Sequence, residues 1–162
     1  MPKKVKAQPD EYHTLTPSLT VKGADQAIEW YLKAFGGKLV SRMSTPDGKA
    51  VWHAELRIGD SVLMLNDEDP SMGSTSPPPE AQGFQIHIYV PDVDAVVRRA
   101  VAAGAKARMP PMDMFWGDRY AQFVDPFGHV WSVATHTEDV PSDQMEARGR
   151  EWAAKAAAQR RE

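Results

Sequence analysis

The sequence predicts an α+β fold built from two βαβββ modules, on three observations. Val21 and Val90, Asp25 and Asp94, Ile28 and Val97, and Gly59 and Gly128 are each 69 residues apart, the mark of a two-fold repeat. Each copy has one segment with apolar residues at helical spacing and several with strand alternation. Turn chemistry separates these segments at matching places in both copies.

The elements follow in order. Residues 15–21 read as a strand. Ile28, Tyr31, Leu32 and Phe35 recur at spacings of 3, 4 and 7, so a helix comes next. Asp25 caps or charges its first turn, and Gly36-Gly37 ends it. Residues 38–43 form a strand and Pro46-Asp47-Gly48 a turn. Residues 50–58 and 61–66 make a hairpin across Gly59-Asp60. The second module starts with a strand at 84–90. A helix presenting Val93, Val96, Val97 and Ala100 follows, stopped by Gly104. A short strand at 105–109 precedes a hairpin of 120–124 and 129–135 around Asp125-Pro126-Phe127-Gly128. The expected boundaries are 12–66 and 83–140 for the modules, with an aperiodic linker at 67–82 that contains Ser-Thr-Ser-Pro-Pro-Pro. A C-terminal helix is expected over 141–162, with Met145, Trp152 and Ala156 on one face. Residues 110–118 read as a loop carrying Met112, Met114, Phe115 and Trp116.

Composition narrows the classes. The chain has 162 residues, a formal charge of −3 and no cysteine. A chain of this size buries about 70% of its unfolded surface, enough for a real core. The charge balance carries no nucleic-acid footprint, and no apolar run approaches the length of a membrane span. Without cysteine there are no disulfides, thiolate metal sites or cysteine nucleophiles. Met1-Pro2-Lys3-Lys4-Val5-Lys6 is basic with no apolar stretch behind it, so a cytoplasmic protein without a signal peptide is expected.

Strand alternation sorts side chains onto two faces. A two-residue turn at Gly59-Asp60 pairs Glu55 with Met64 and His53 with Asn66. One face of that hairpin is then Trp52, Ala54, Leu56, Ile58, Leu63 and Leu65, which must pack on the helix. The other is His53, Glu55, Arg57, Met64 and Asn66. Leu15, Leu19 and Val21 face in, with Thr14, Thr16, Ser18 and Thr20 away. Phe84, Ile86, Ile88 and Val90 face in, with Gln85, His87 and Tyr89 away. Trp131 and Val133 face in, with Ser132, Ala134 and His136 away. The polar face either lines a pocket or is an open, solvated surface.

The two modules, with Ile28-Glu29-Trp30-Tyr31 before Phe35-Gly36 and with Phe123-Val124-Asp125-Pro126-Phe127-Gly128-His129, resemble the vicinal oxygen chelate superfamily of glyoxalases, bleomycin-resistance proteins and extradiol dioxygenases. His53-Ala54-Glu55-Leu56, Trp116-Gly117-Asp118-Arg119 and Ala134-Thr135-His136 look most like its PhnB-like branch. The likeness spans Tyr12 to about Val140. It implies a U-shaped eight-stranded mixed sheet around a ligand cavity, in a homodimer. It also implies a position for metal: one His, Glu or Gln on the first and last strand of each module. Those positions fall here on Thr16, Met64, Gln85 and Ser132. Gln85 alone is a usual ligand type, so the usual divalent site is expected to be absent, which counts against metal-dependent isomerisation or ring cleavage.

The candidate ligand contacts are therefore His53, Glu55, Met64, Gln85, His87, Tyr89, Phe115, Trp116 and Ser132, with no catalytic residue assigned. His53 and Glu55, two apart on one strand, project from the same face about 6–7 Å apart. They read as a ligand contact, an acid–base pair or a hydrogen-bonded wall. A divalent metal on a shifted set of His53, Glu55, His87 and His136 is the alternative, and no cofactor is otherwise expected. The apolar loop at 112–116 reads as a lid over a planar ligand or as packing against a partner subunit, and Trp152 as a packing or dimer anchor. Asp118 and Arg119 read as an ion pair, or Arg119 as an anion contact. No phosphate-binding loop, Gly-x-Ser-x-Gly elbow or His-Glu-x-x-His is present. The expected function is binding of a small organic ligand. The alternatives are a divalent-metal-dependent lyase, isomerase or dioxygenase, and a non-catalytic interaction protein.

Overall fold

The computed structural model describes residues 5–78 and 83–160. The first four residues of the basic start, the end of the linker at 79–82, and Arg161 lie outside the described residues.

Each half of the repeat forms one four-stranded sheet with a helix packed on it. The first comprises β1 (Ser18–Val21), α1 (Ala24–Phe35), β2 (Lys38–Ser44), β3 (Val51–Ile58) and β4 (Ser61–Asp67), in sheet order β1-β4-β3-β2. The second comprises β5 (Ile86–Tyr89), α2 (Val93–Ala102), β6 (Lys106–Asp113), β7 (Asp118–Val124) and β8 (Val130–His136), in order β5-β8-β7-β6. α3 (Ser142–Gln159) follows. In both sheets the first and last strands run parallel and the other pairs antiparallel, so the eight strands hydrogen-bond as two mixed sheets of four. The contacts divide the chain into two units: residues up to 84 together with 125–129, and residues 85–124 together with 130–162.

In the first unit, α1 buries Ala24, Ala27, Ile28, Tyr31 and Ala34, and the sheet buries Leu19, Val21, Ala54, Leu56, Leu63 and Leu65. The hairpin has the expected register, Glu55 opposite Met64 and Leu56 opposite Leu63. Two inward assignments are corrected. Leu15 precedes β1 and is 89% exposed. Trp52 is 58% exposed while Val51 is buried. Met43 pairs with His53 but the next residue, Ser44, pairs with Val51. Trp52 is thus the extra residue of a bulge, which turns it off the core face.

Asp25 does not cap α1; its carboxylate pairs with Arg42. The N-cap is Gly23, in the left-handed region at φ 82°, and it has no side chain to offer. Asp67, at the end of β4, does the capping instead. Its Oδ1 accepts from the amides of Gly23 (3.0 Å) and Ala24 (2.8 Å), and its Oδ2 accepts from Val51 N (2.8 Å). In the second unit the counterpart of Gly23 is Asp92, which caps α2 directly through Ala95 N. We expect Asp67→Ala to lower stability by about 2 kcal/mol and Asp67→Asn by less, read from urea unfolding followed by circular dichroism. Equal stability of Asp67→Ala and wild type would remove this carboxylate from the account of the helix start.

The turn Asp125-Pro126-Phe127-Gly128-His129 belongs to the first unit. Asp125 Oδ1 accepts from Phe127 N and His129 N, both at 2.9 Å, and the buried Tyr31 hydroxyl donates to Oδ2 at 2.6 Å. Burial, and then the Asp125 charge, hold the Tyr31 phenol well above its ordinary pKa. Part of the linker forms regular structure: β4 runs to Asp67, a 3-10 turn spans Pro70–Met72, and Asp69 bridges to Ser74.

In the second unit, Val93, Val96, Val97 and Ala100 of α2 are buried as the spacing predicts, with Ala121, Phe123, Trp131 and Val133 in the sheet. Phe84, assigned inward, lies outside β5 and is exposed. Residues 110–113, expected as loop, are the end of β6. Pro110 and Pro111 are tolerated there because β6 is an edge strand and its register shifts on either side of Met109. What remains of the loop is a tight turn, closed by Met114 N donating to Asp118 O and Gly117 N donating to Met114 O.

Candidate functional site

On the first sheet, strand register aligns Ser18, Met64, Glu55 and Ser41 across one face. Glu55 is the hub. Its Oε1 lies 2.9 Å from His53 Nε2 and accepts from the Tyr12 hydroxyl at 2.6 Å. These two hydrogen bonds hold the Glu55 carboxyl below its ordinary pKa, and the bond to Glu55 raises that of Tyr12. A carboxylate whose pKa is lowered in this way is a weaker base than a free one. The N-terminal segment that brings Tyr12 is tied down by Arg57, whose Nη2 donates to Glu11 O. A groove of about 460 Å³ lies beside it, lined by Tyr12, His13, Thr16 and Met64 among others.

On the second sheet the corresponding face is aromatic. Register places Ser132 between His87 and Gln122, and Ala134 between Tyr89 and Tyr120. The His87 ring packs edge-on to Tyr89 at 4.8 Å and nearly parallel to Tyr120 at 6.1 Å. His87 Nδ1 and Ser132 Oγ are 2.7 Å apart, and Gln122 Nε2 donates to the Tyr120 hydroxyl at 2.7 Å. Loss of water around His87 lowers its pKa, against the smaller raising pull of Asp118.

Asp118 anchors the rim of this face. It is 4% exposed and accepts from Tyr89 OH (3.2 Å) and Trp116 Nε1 (3.1 Å) at Oδ2, with His136 Nδ1 2.8 Å from Oδ1. The second ring nitrogen of His136 lies 2.8 Å from Asp139. Hydrogen bonds to Asp139 and Asp118 raise the His136 pKa. Gly117 has φ 98°, and a Cβ there would meet Glu138 O at 2.0 Å, so only glycine lets residues 137–138 close on this turn.

The structure therefore places eight of the nine candidate residues in two groups and packs the ninth, Phe115, on α3. His53, Glu55 and Met64 share the first sheet, with Tyr12 as a member that strand alternation alone could not find. His87 and Tyr89 form the second group with Tyr120, Trp116 and Gln122. Gln85 sits at its edge, where its Oε1 accepts from Gln122 at 3.4 Å. Ser132 is fully buried and engaged with His87, so it positions that ring. Phe115 packs on Trp152 of α3, ring centroids 5.9 Å apart, and its ring lies 3.2 Å from where a Cβ on Gly149 would be. Phe115 of the loop expected as a lid or a partner contact is thus packed on the chain's own C-terminal helix. Asp118 and Arg119 do not pair with each other; Arg119 binds Asp94 and Asp113.

The chemistry of the family's four ligand positions does not suit a hard divalent ion. Thr16 supplies a hydroxyl that already donates to His13 O, Met64 a thioether, Gln85 an amide, and Ser132 a buried hydroxyl engaged with His87. His53 and Glu55 lie on β3 of the first sheet, and His87 and His136 on β5 and β8 of the second. Among the described residues no cluster of three or more His, Cys, Asp or Glu is placed to hold a metal ion.

Residues 12–133 match the profile of the Glyoxalase/Bleomycin resistance protein/Dioxygenase superfamily. The chain is 43% identical over 137 residues to the uncharacterized protein Rv0887c of Mycobacterium tuberculosis, covering 82% of this chain and 80% of that one. Among solved structures it is similar to TioX from Micromonospora sp. ML1, with 28% identity, TM-score 0.59, and 76% and 98% of the two chains covered. The PhnB protein of Bacillus cereus, described as a putative 3-demethylubiquinone-9 3-methyltransferase, shares the fold, with 16% identity, TM-score 0.60, and coverage of 76% and 99%.

Proposed function

The chain belongs to the glyoxalase/bleomycin resistance protein/dioxygenase superfamily, and from that membership we propose that it binds a small planar organic ligand on the polar face of its second sheet, without the divalent site of the metal-dependent members. The observation that carries this is the preorganised ring cluster of His87, Tyr89 and Tyr120. Its polar atoms are already oriented by Ser132, Gln122 and Asp118 before any ligand arrives. Tyr89 is exposed, so its ring is available to stack. His87, kept neutral by partial burial, offers Nε2 to a polar group at the edge of the ligand. His53, Glu55 and Met64 form a separate polar group on the first sheet.

We also infer a cytoplasmic homodimer. The dimer is supported by β2, an edge strand that exposes Leu39, Val40 and Met43. Among the described residues no helix is long and apolar enough to cross a membrane.

Thermal-shift screening against planar antibiotics and small oxo-acids tests the binding, followed by titration of any hit against Tyr89→Ala and His87→Ala. At least one compound is expected to raise the melting temperature, with affinity falling about tenfold in either variant. A panel that leaves the melting temperature unmoved would overturn the binding reading. Elemental analysis of untagged protein tests the other half: a stoichiometric transition metal that disappears in His53→Ala or His87→Ala would sink the metal-free reading.

A further inference from the structure

The first unit holds a separate hollow of about 760 Å³, whose lining includes none of Tyr12, His53 or Glu55. Its size is that of a drug-sized ligand site. Trp52 and Met72 line it, and both are largely exposed, at 58% and 81%. Trp52 is there because of the β3 bulge, the kind of irregularity that re-aims a side chain at a sheet edge or beside a site. Its indole N–H has no hydrogen-bond partner among the described residues.

The rim is acidic. Asp47, Asp67, Glu68 and Asp69 face a single cation in the lining, Lys49. Asp67 is occupied by three backbone amides, and Glu68 by Ser76 and by Lys22 at 3.8 Å. Asp47 and Asp69 differ. Each uses Oδ1 for its local turn contacts, and the Oδ2 of each has no partner among the described residues. An exposed indole face beside two carboxylates with unengaged oxygens attracts a cation by its ring quadrupole and by charge, and repels an anion.

We propose that this hollow binds a small organic cation, an ammonium group on an aromatic or branched alkyl body, seated on Trp52 and facing Asp47 and Asp69. Such a ligand satisfies both halves of the lining: its body covers Trp52 and Met72, and its charge meets the carboxylates. This site is independent of the ring cluster on the second sheet, so either can fail without the other.

The test is an NMR titration of the ¹⁵N-labelled full chain, reading the tryptophan indole signals. Trp52→Phe identifies which of the five belongs to Trp52. The probes are benzyltrimethylammonium, the neutral benzyl alcohol and the anionic benzenesulfonate. Benzyltrimethylammonium is expected to move the Trp52 signal saturably, and the other two are not. By calorimetry, Trp52→Ala should weaken binding of the cation about tenfold, while Trp52→Phe keeps most of it. Asp47→Asn with Asp69→Asn should weaken it about fivefold; both asparagines keep an oxygen for the turn contacts, so the fold is preserved. No saturable shift, equal binding of benzenesulfonate, or cation binding unchanged in Trp52→Ala would each overturn the proposal.

Discussion

Asp125→Ala is expected to destabilise the protein by about 3–5 kcal/mol, the largest effect of any single substitution outside the apolar core. The carboxylate is 4% exposed and accepts from two amides of its own turn and from the Tyr31 hydroxyl. All three bonds are charge-assisted. Removing the acceptor leaves a buried phenol and two turn amides without it, and unsatisfied buried donors each cost about 1–3 kcal/mol. The Phe127 ring, 5.9 Å from Tyr31 and 6.4 Å from Trp30, loses the turn that presents it. Tyr31→Phe isolates the single bond to Oδ2 and should cost about 1–3 kcal/mol. Urea unfolding of the three proteins checks this. A midpoint for Asp125→Ala within error of wild type would show that the turn contributes nothing to the first unit.

This carboxylate marks the limit of what strand and helix periodicity make legible. Helical spacing located α1 and α2, and the two-residue turn at Gly59-Asp60 set the β3–β4 register, because local geometry dictates both. The Asp-Pro-Phe-Gly turn was legible as a turn, but its bond to Tyr31 spans 94 residues, and no local pattern encodes it. Alternation points Trp52 inward because it assumes an unbroken ladder; a bulge depends on which partner residue is skipped, and that is decided by the neighbouring strand. Pro110-Pro111 argued for a loop, yet an edge strand needs only half of its amides, so β6 continues through them. The candidate site divides the same way. His87 and Tyr89 follow from period-two alternation, whereas Tyr12 and Tyr120 reach their groups through the N-terminal segment and through the β7–β8 pairing.

Asp118→Ala is expected to remove about 3 kcal/mol of stability and to weaken any ligand of the second sheet about tenfold. Tyr89, Trp116 and His136 converge on this one buried carboxylate, so its loss frees three side chains of the rim at once. The two histidines of this region give the effect a pH signature. His136 faces Asp139 and Asp118, which raise its pKa above 6.5, Asp139 more than Asp118. Its contribution is therefore full below 6.5 and is lost as pH rises through the raised value. His87 faces Ser132, Tyr89 and Tyr120, and its pKa is lowered below 6.5 by loss of water. Its contribution is full above 6.5 and is lost as pH falls through the lowered value. The two slopes have opposite signs and occupy different windows, so the stability due to this pair peaks near 6.5. Unfolding free energy measured against pH should lose its decline above 6.5 in His136→Asn, keep part of it in Asp118→Asn, where Asp139 still faces the ring, and lose its decline just below 6.5 in His87→Asn. A wild-type decline above 6.5 that persists unchanged in His136→Asn would assign it to other groups and remove His136 from the account of the rim.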